Sequence, residues 1–81
     1  MQVEVFMDLI KRGFDVSFNH KDVFYTISLI YDDGLQKKYG IGSDNGFKFD
    51  FVSIEDITDF VLDDMSIRNI IQSLSEDEIF Y

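Results

Sequence analysis

The chain contains no cysteine, no proline and no tryptophan, and it has a single histidine. Without thiols there is no disulfide scaffold and no zinc ribbon, and cysteine usage leaves no mark of a redox compartment. One imidazole, His20, gives neither a His-based metal set nor an oriented base for a nucleophile, and its place between two strand patterns reads as an exposed turn. Cations are scarce as well: seven Lys+Arg stand against sixteen Asp+Glu, for a net charge of −9. A phosphate-binding surface needs clustered Lys and Arg, so direct nucleic-acid binding is not expected. No apolar run approaches the roughly 20 residues that span a bilayer, and no basic-then-apolar start reads as a signal peptide. What the chain does have is apolar mass. Of 81 residues, 46% are hydrophobic and nine are Phe. That excludes disorder and predicts one domain over residues 1–81 with enough material for a core.

The spacing of that apolar mass predicts the elements. Val3, Phe6, Met7 and Ile10 recur on one helical face, Lys11 and Arg12 close the last turn, and Gly13 follows where a helix stops. Phe14-Asp15-Val16-Ser17-Phe18-Asn19 alternates as a half-buried strand, with Phe14, Val16 and Phe18 inward. Val23 to Tyr31 is β-branched and aromatic on one face and half apolar on the other, through Phe24 and Ile30. Asp32-Asp33-Gly34 is a tight-turn signal. Leu35 to Ile41 returns as a third strand with Leu35, Tyr39 and Ile41 inward, Lys37 on the same face, and a bulge expected at Gly40. Phe47, Phe49 and Phe51 alternate as a short fourth strand. Ser53 and Ser66 read as helix N-caps, the first ahead of a stripe of Ile54, Ile57, Phe60 and Val61 that Asp63-Asp64 interrupts. Behind the second, Ile67, Ile70, Ile71 and Leu74 give the cleanest helical pattern in the chain. Ser75 to Tyr81 is an acidic end with an apolar tip. The fold class is α+β: a three- or four-stranded antiparallel sheet packed against helices, in the order α-β-β-β-(β)-α-α.

Reactive chemistry is not encoded in any pattern the chain carries. Placing Gly34 or Gly46 as an EF-hand turn glycine would make Leu29 or Ile41 the first ligand, and both fail. Gly40, Gly42 and Gly46 have the wrong spacing for a dinucleotide loop. Paired carboxylates occur at Asp32/Asp33, Glu55/Asp56 and Asp63/Asp64, but catalytic pairs need a cleft that shifts their pKa values. A non-catalytic protein without cofactor or metal is expected.

The charge is unevenly placed. Residues 1–49 hold seven acids and six bases; residues 50–81 hold nine acids and one base, Arg68. The net −8 of the second segment has two readings: solvation, or a face shaped for a basic partner. The candidate partner-binding residues are Asp32, Asp33, Gly34, Glu55, Asp56, Asp59, Asp63, Asp64, Glu76, Asp77 and Glu78.

Several local features resemble one family. Asp8-Leu9-Ile10 precedes a Lys-containing helix end, Phe14-Asp15-Val16-Ser17-Phe18 follows as first strand, and Asp33-Gly34 then Tyr39 fall in the next hairpin. With the element order, size and acidity, these resemble small phage-encoded anti-CRISPR proteins that block type II CRISPR effector nucleases, one of which has an αβββαα fold and mimics duplex DNA. The resemblance covers about half the chain. It implies an inhibitor of such a nuclease loaded with guide RNA, acting in the cytoplasm of a bacterial host, with Asp33 and Gly34 directed toward the cleft that reads the PAM. Lys37 and Lys38 follow the hairpin where the family member is acidic or neutral, which moves weight to the acids after residue 50. The alternative is a small accessory or scaffolding domain that docks, or forms a homodimer, through the second face of Val23–Tyr31 or the tip Ile79-Phe80-Tyr81.

Overall fold

A computed structural model describes all residues, Met1–Tyr81. Helix α1 (Val3–Lys11) buries Val3, Phe6, Leu9 and Ile10, and its end is closed by Gly13 at φ +91°, a left-handed backbone that only glycine takes without strain. Strands β1 (Val16–His20) and β2 (Val23–Asp32) form a hairpin, β3 (Lys37–Ser43) pairs with β2, and β4 (Lys48–Phe51) pairs with β3, all antiparallel. Helix α2 (Ile54–Asp59) and the small hairpin β5 (Val61–Leu62) and β6 (Met65–Ser66) lead into α3 (Ile67–Ser73). A 3₁₀ turn at Glu76–Glu78 precedes β7 (Ile79–Phe80), which joins the outer edge of β1 with Ile79 opposite Phe18 and Phe80 opposite Ser17. The architecture is α+β, with a five-stranded sheet ordered β4-β3-β2-β1-β7.

The helices cover one face of this sheet. Val16, Phe18, Tyr25, Ile27, Tyr39, Ile41 and Phe51 meet Phe6 and Ile10 of α1, Ile54 and Ile57 of α2 and Ile67, Ile70 and Ile71 of α3 in one buried cluster. Each such side chain contributes on the order of 1.5–3 kcal/mol through burial. Both expected serine caps are in place: Ser53 Oγ accepts from the Asp56 N–H and Ser66 Oγ from the Asn69 N–H, each at 3.2 Å. The other face carries Ser17, Phe24, Thr26, Ser28, Ile30, Gly40, Gly42 and Phe80, and no helix lies over it.

Several expectations are corrected. The sheet gains a fifth strand because the apolar tip folds back: Ile79 is buried and Phe80 packs on Phe24, ring centroids 6.1 Å apart. The bulge lies on β2 between Leu29 and Tyr31, not at Gly40, which stays in register opposite Ser28. A Cβ at Gly40 would sit 3.4 Å from the Ile30 side chain, so the bulge and the missing side chain share one space. That one-residue shift places Lys37 opposite Asp32 at the exposed hairpin end and leaves Leu35 in the turn, 93% exposed. Phe14 precedes β1 and lies outside the core, under the Arg12 guanidinium. Helix α2 stops at Asp59, so Val61 is an exposed residue of β5. His20 ends β1 and is half-buried, its Nε2 without a hydrogen-bond partner.

Candidate functional site

The acids singled out above lie in four places. Asp32, Asp33 and Gly34 form the β2–β3 turn, where the carboxylates bond to nearby backbone. Asp32 accepts from the Gly34 N–H at 2.9 Å, and Asp33 accepts from the N–H groups of Leu35 (2.9 Å) and Gln36 (2.7 Å) and from the Tyr31 hydroxyl (3.0 Å). Gly34 sits at φ +87°, which the turn requires. The Gln36 and Leu35 backbone donors, then the Tyr31 hydroxyl, hold the Asp33 carboxyl below the usual carboxylate range. Lys37 lies 3.9 Å from Asp32. The hairpin that the resemblance would aim at a basic cleft therefore uses its carboxylates internally and brings its own cation.

Glu55, Asp56 and Asp59 stand on α2. Ile54, Ile57 and Thr58 bury the inner side of that helix, so the three acids share the outward side. None has a cation within salt-bridge distance. Glu55 and Asp56 suit the positive end of the helix; Asp59 sits at the opposite end, with no basic residue in that turn.

Asp63 and Asp64 form the β5–β6 turn. Asp63 adopts φ +59°, a conformation Asp tolerates better than most side chains. Asp64 accepts from Lys21 Nζ at 2.8 Å, a contact that lowers the carboxyl's pKa and raises the lysine's. That ion pair ties the β5–β6 turn to the β1–β2 turn. The β3–β4 turn lies there too, because the Asp44 N–H bonds to the Phe24 carbonyl at 3.1 Å. Strand β2 runs ten residues from this end to Asp32, roughly 30 Å at strand rise, so the Asp63 and Asp33 turns occupy opposite ends of the sheet. Glu76, Asp77 and Glu78 make the 3₁₀ turn. There Glu78 accepts from the Ser75 N–H at 2.9 Å, which, with the Ser75 hydroxyl, lowers its pKa.

Of sixteen carboxylates, only Asp8, Asp32 and Asp64 have a cation within 4.0 Å. No group of three His, Asp or Glu side chains is assembled to hold a metal ion, and no helix is long and apolar enough to cross a membrane. Sequence reasoning missed Tyr25, Phe47 and Phe60, which line a cleft beside Asp63. Their strand and helix periods mark them only as core, and the cleft exists because the β3–β4 and β5–β6 turns converge. Comparison with protein-family models, curated proteins and solved structures gave no match.

Proposed function

We propose that this chain is a non-catalytic acidic protein that occupies a basic surface on a partner, most specifically the nucleic-acid-binding site of a type II CRISPR effector nuclease carrying guide RNA, as the resemblance implies. The observation that carries the reading is the outward side of α2. Glu55, Asp56 and Asp59 project from a helix fixed by buried Ile54 and Ile57, with no cation within salt-bridge distance; the Arg68 guanidinium donates instead to Thr58 Oγ1 of the same helix, at 3.3 Å. Asp59 is placed against the helix dipole, so its charge is unfavourable locally and favourable only toward something outside the helix. A nuclease of this class reads its PAM with arginines and holds nucleic acid in a basic channel. Carboxylates on a rigid frame can form charge-assisted contacts with those groups, and opposite charge speeds the encounter.

The test adds the protein to a type II nuclease with guide RNA and measures target-DNA binding and cleavage. Inhibition is expected, and the charge-reversed variant E55K/D56K/D59K should lose at least ten-fold in potency. Undiminished cleavage with several orthologous nucleases would overturn the nuclease assignment. Equal potency of the variant would remove α2 from the interface.

A second reading has its own observation. The sheet face without helices exposes Phe80 (53%), which packs on Phe24, and, farther along β2, Ile30 (52%); the Phe24–Phe80 pair is suited to docking or to a second copy of the chain. Sedimentation equilibrium decides it: a monomer at high concentration that F80S leaves unchanged argues against self-association.

A further inference from the structure

Phe47, Phe49, Phe51 and Phe60 form a cluster with ring centroids 5.0–6.1 Å apart. Phe51 is buried, whereas Phe47 and Phe49 are exposed along one side. Where Phe47 and Phe60 face the β5–β6 hairpin, they open a cleft of about 230 Å³. Tyr25 and Leu62 are its buried lining, and Val61 and Asp63 stand at its exposed margin. The volume is below the range of small-molecule sites, roughly 300–1,000 Å³, and is on the scale of one side chain.

The margin of the cleft is negative. Asp63 makes no ion pair within 4.0 Å; the neighbouring cation Lys21 is hydrogen-bonded to Asp64 and also feels the Asp63 charge. Burial first, and then the charges of Asp63 and Asp44, push the Tyr25 phenol above its ordinary pKa. An apolar side chain would satisfy the walls but would take water from Asp63 without replacing it. A carboxylate would be repelled. A cationic side chain satisfies both parts: its methylene stem lies on Val61 and Leu62, and its charge meets the ring faces and Asp63. Between the two cations, guanidinium is planar, less strongly hydrated and able to stack on a ring while donating to a carboxylate. The chain already contains that contact, with the Arg12 guanidinium 5.5 Å from the Phe14 ring centroid.

We infer that this cleft receives an arginine side chain from a protein partner, with Phe47 and Phe60 stacking on the guanidinium and Asp63 accepting from it. The inference rests on the reading of the chain as a binder of basic protein surfaces and names one point of contact within it.

The experiment titrates the ¹⁵N-labelled full chain with Ac-Gly-Arg-Gly-NH₂ and, separately, with the lysine and citrulline analogues. The arginine peptide should give saturable shifts confined to residues 44–47 and 60–63, with affinity at least three-fold above lysine and none measurable for citrulline. D63N should weaken arginine binding at least three-fold. Asn tolerates the same positive φ, and an otherwise unchanged amide spectrum verifies the fold. Shifts spread evenly over α2 and residues 76–78, equal binding of lysine, or a D63N variant that binds as before would each overturn the inference. The nuclease assay is independent of this one. Inhibition with no cleft shifts would defeat only the arginine site, and cleft binding without inhibition would defeat only the nuclease assignment.

Discussion

In the β2–β3 hairpin, Asp32 and Asp33 accept four backbone or hydroxyl donors between them and stand beside Lys37. On α2, Glu55, Asp56 and Asp59 make no ion pair and no side-chain acceptor contact outside their own residues. The two groups are alike as sequence, adjacent acids after an apolar stretch, and opposite in use. The hairpin acids shape a turn by supplying acceptors to N–H groups that have no ladder partner. The helix acids accept no such donors: Glu55 and Asp56 favour the positive end of α2, whose backbone is capped by Ser53 and anchored through Ile54 and Ile57. The hydrogen bonds leave the hairpin carboxylates charged, and it is Lys37 beside Asp32 that reduces the net charge a partner could meet there.

The largest test of this contrast removes the anchor under the helix acids. I57A opens a cavity beneath α2 at a fully buried position and should lower stability by about 3 kcal/mol, read by urea unfolding. If the acids of α2 act only when rigidly held, inhibition should fall with it under conditions where most molecules remain folded. A smaller effect is expected at the hairpin. D33A removes the acceptor of two backbone N–H groups and the Tyr31 hydroxyl and should lower the unfolding midpoint at pH 6. Because the folded-state pKa of Asp33 lies below its ordinary value of 3.8, its contribution is complete above that value and is lost as pH falls through the folded pKa. The gap between D33A and the parent should narrow as pH falls below 3.8; a gap of constant size would show that the carboxylate charge is irrelevant to the turn. The smallest effect is at Asp59. D59N should change stability by no more than about 0.5 kcal/mol, in the stabilising direction, because it relieves a charge placed against the helix dipole. A clear loss would mean that Asp59 has a structural partner after all.

Local rules made much of the fold legible. The 3.6-residue stripes of α1 and α3, the serine caps, Gly13 and the Asp33-Gly34 turn all depend on residues within a few positions of one another, and each is present. What escaped depends on distant residues. β7 is a strand only because β1 offers an edge to Ile79 and Phe80; in isolation Ser75–Tyr81 is an acidic tail. The register of Lys37 turned on a bulge at Ile30, which needed the open space at Gly40 on the next strand. Phe14 and Leu35 fit a two-residue period and still lie outside the core, because β1 starts at Val16 and β3 at Lys37. For the candidate site, the acids could be named from sequence, but whether a carboxylate was engaged or free could not. That depends on where Lys21 lands relative to Asp64 and on how many backbone donors a turn leaves unpaired.

The placement of β7 also has a consequence for how the chain acquires its structure. Strands β1 to β4 form a meander in which each partner is a sequence neighbour, so their contacts close short loops. Joining Ile79 to Phe18 closes a loop of roughly 60 residues, an ordering cost recovered only once α2 and α3 have packed. The meander is thus suited to form early, whereas the β1 edge is covered only when the two-residue β7, like the N-terminus that bonds to the Ile71 and Leu74 carbonyls, closes a long loop.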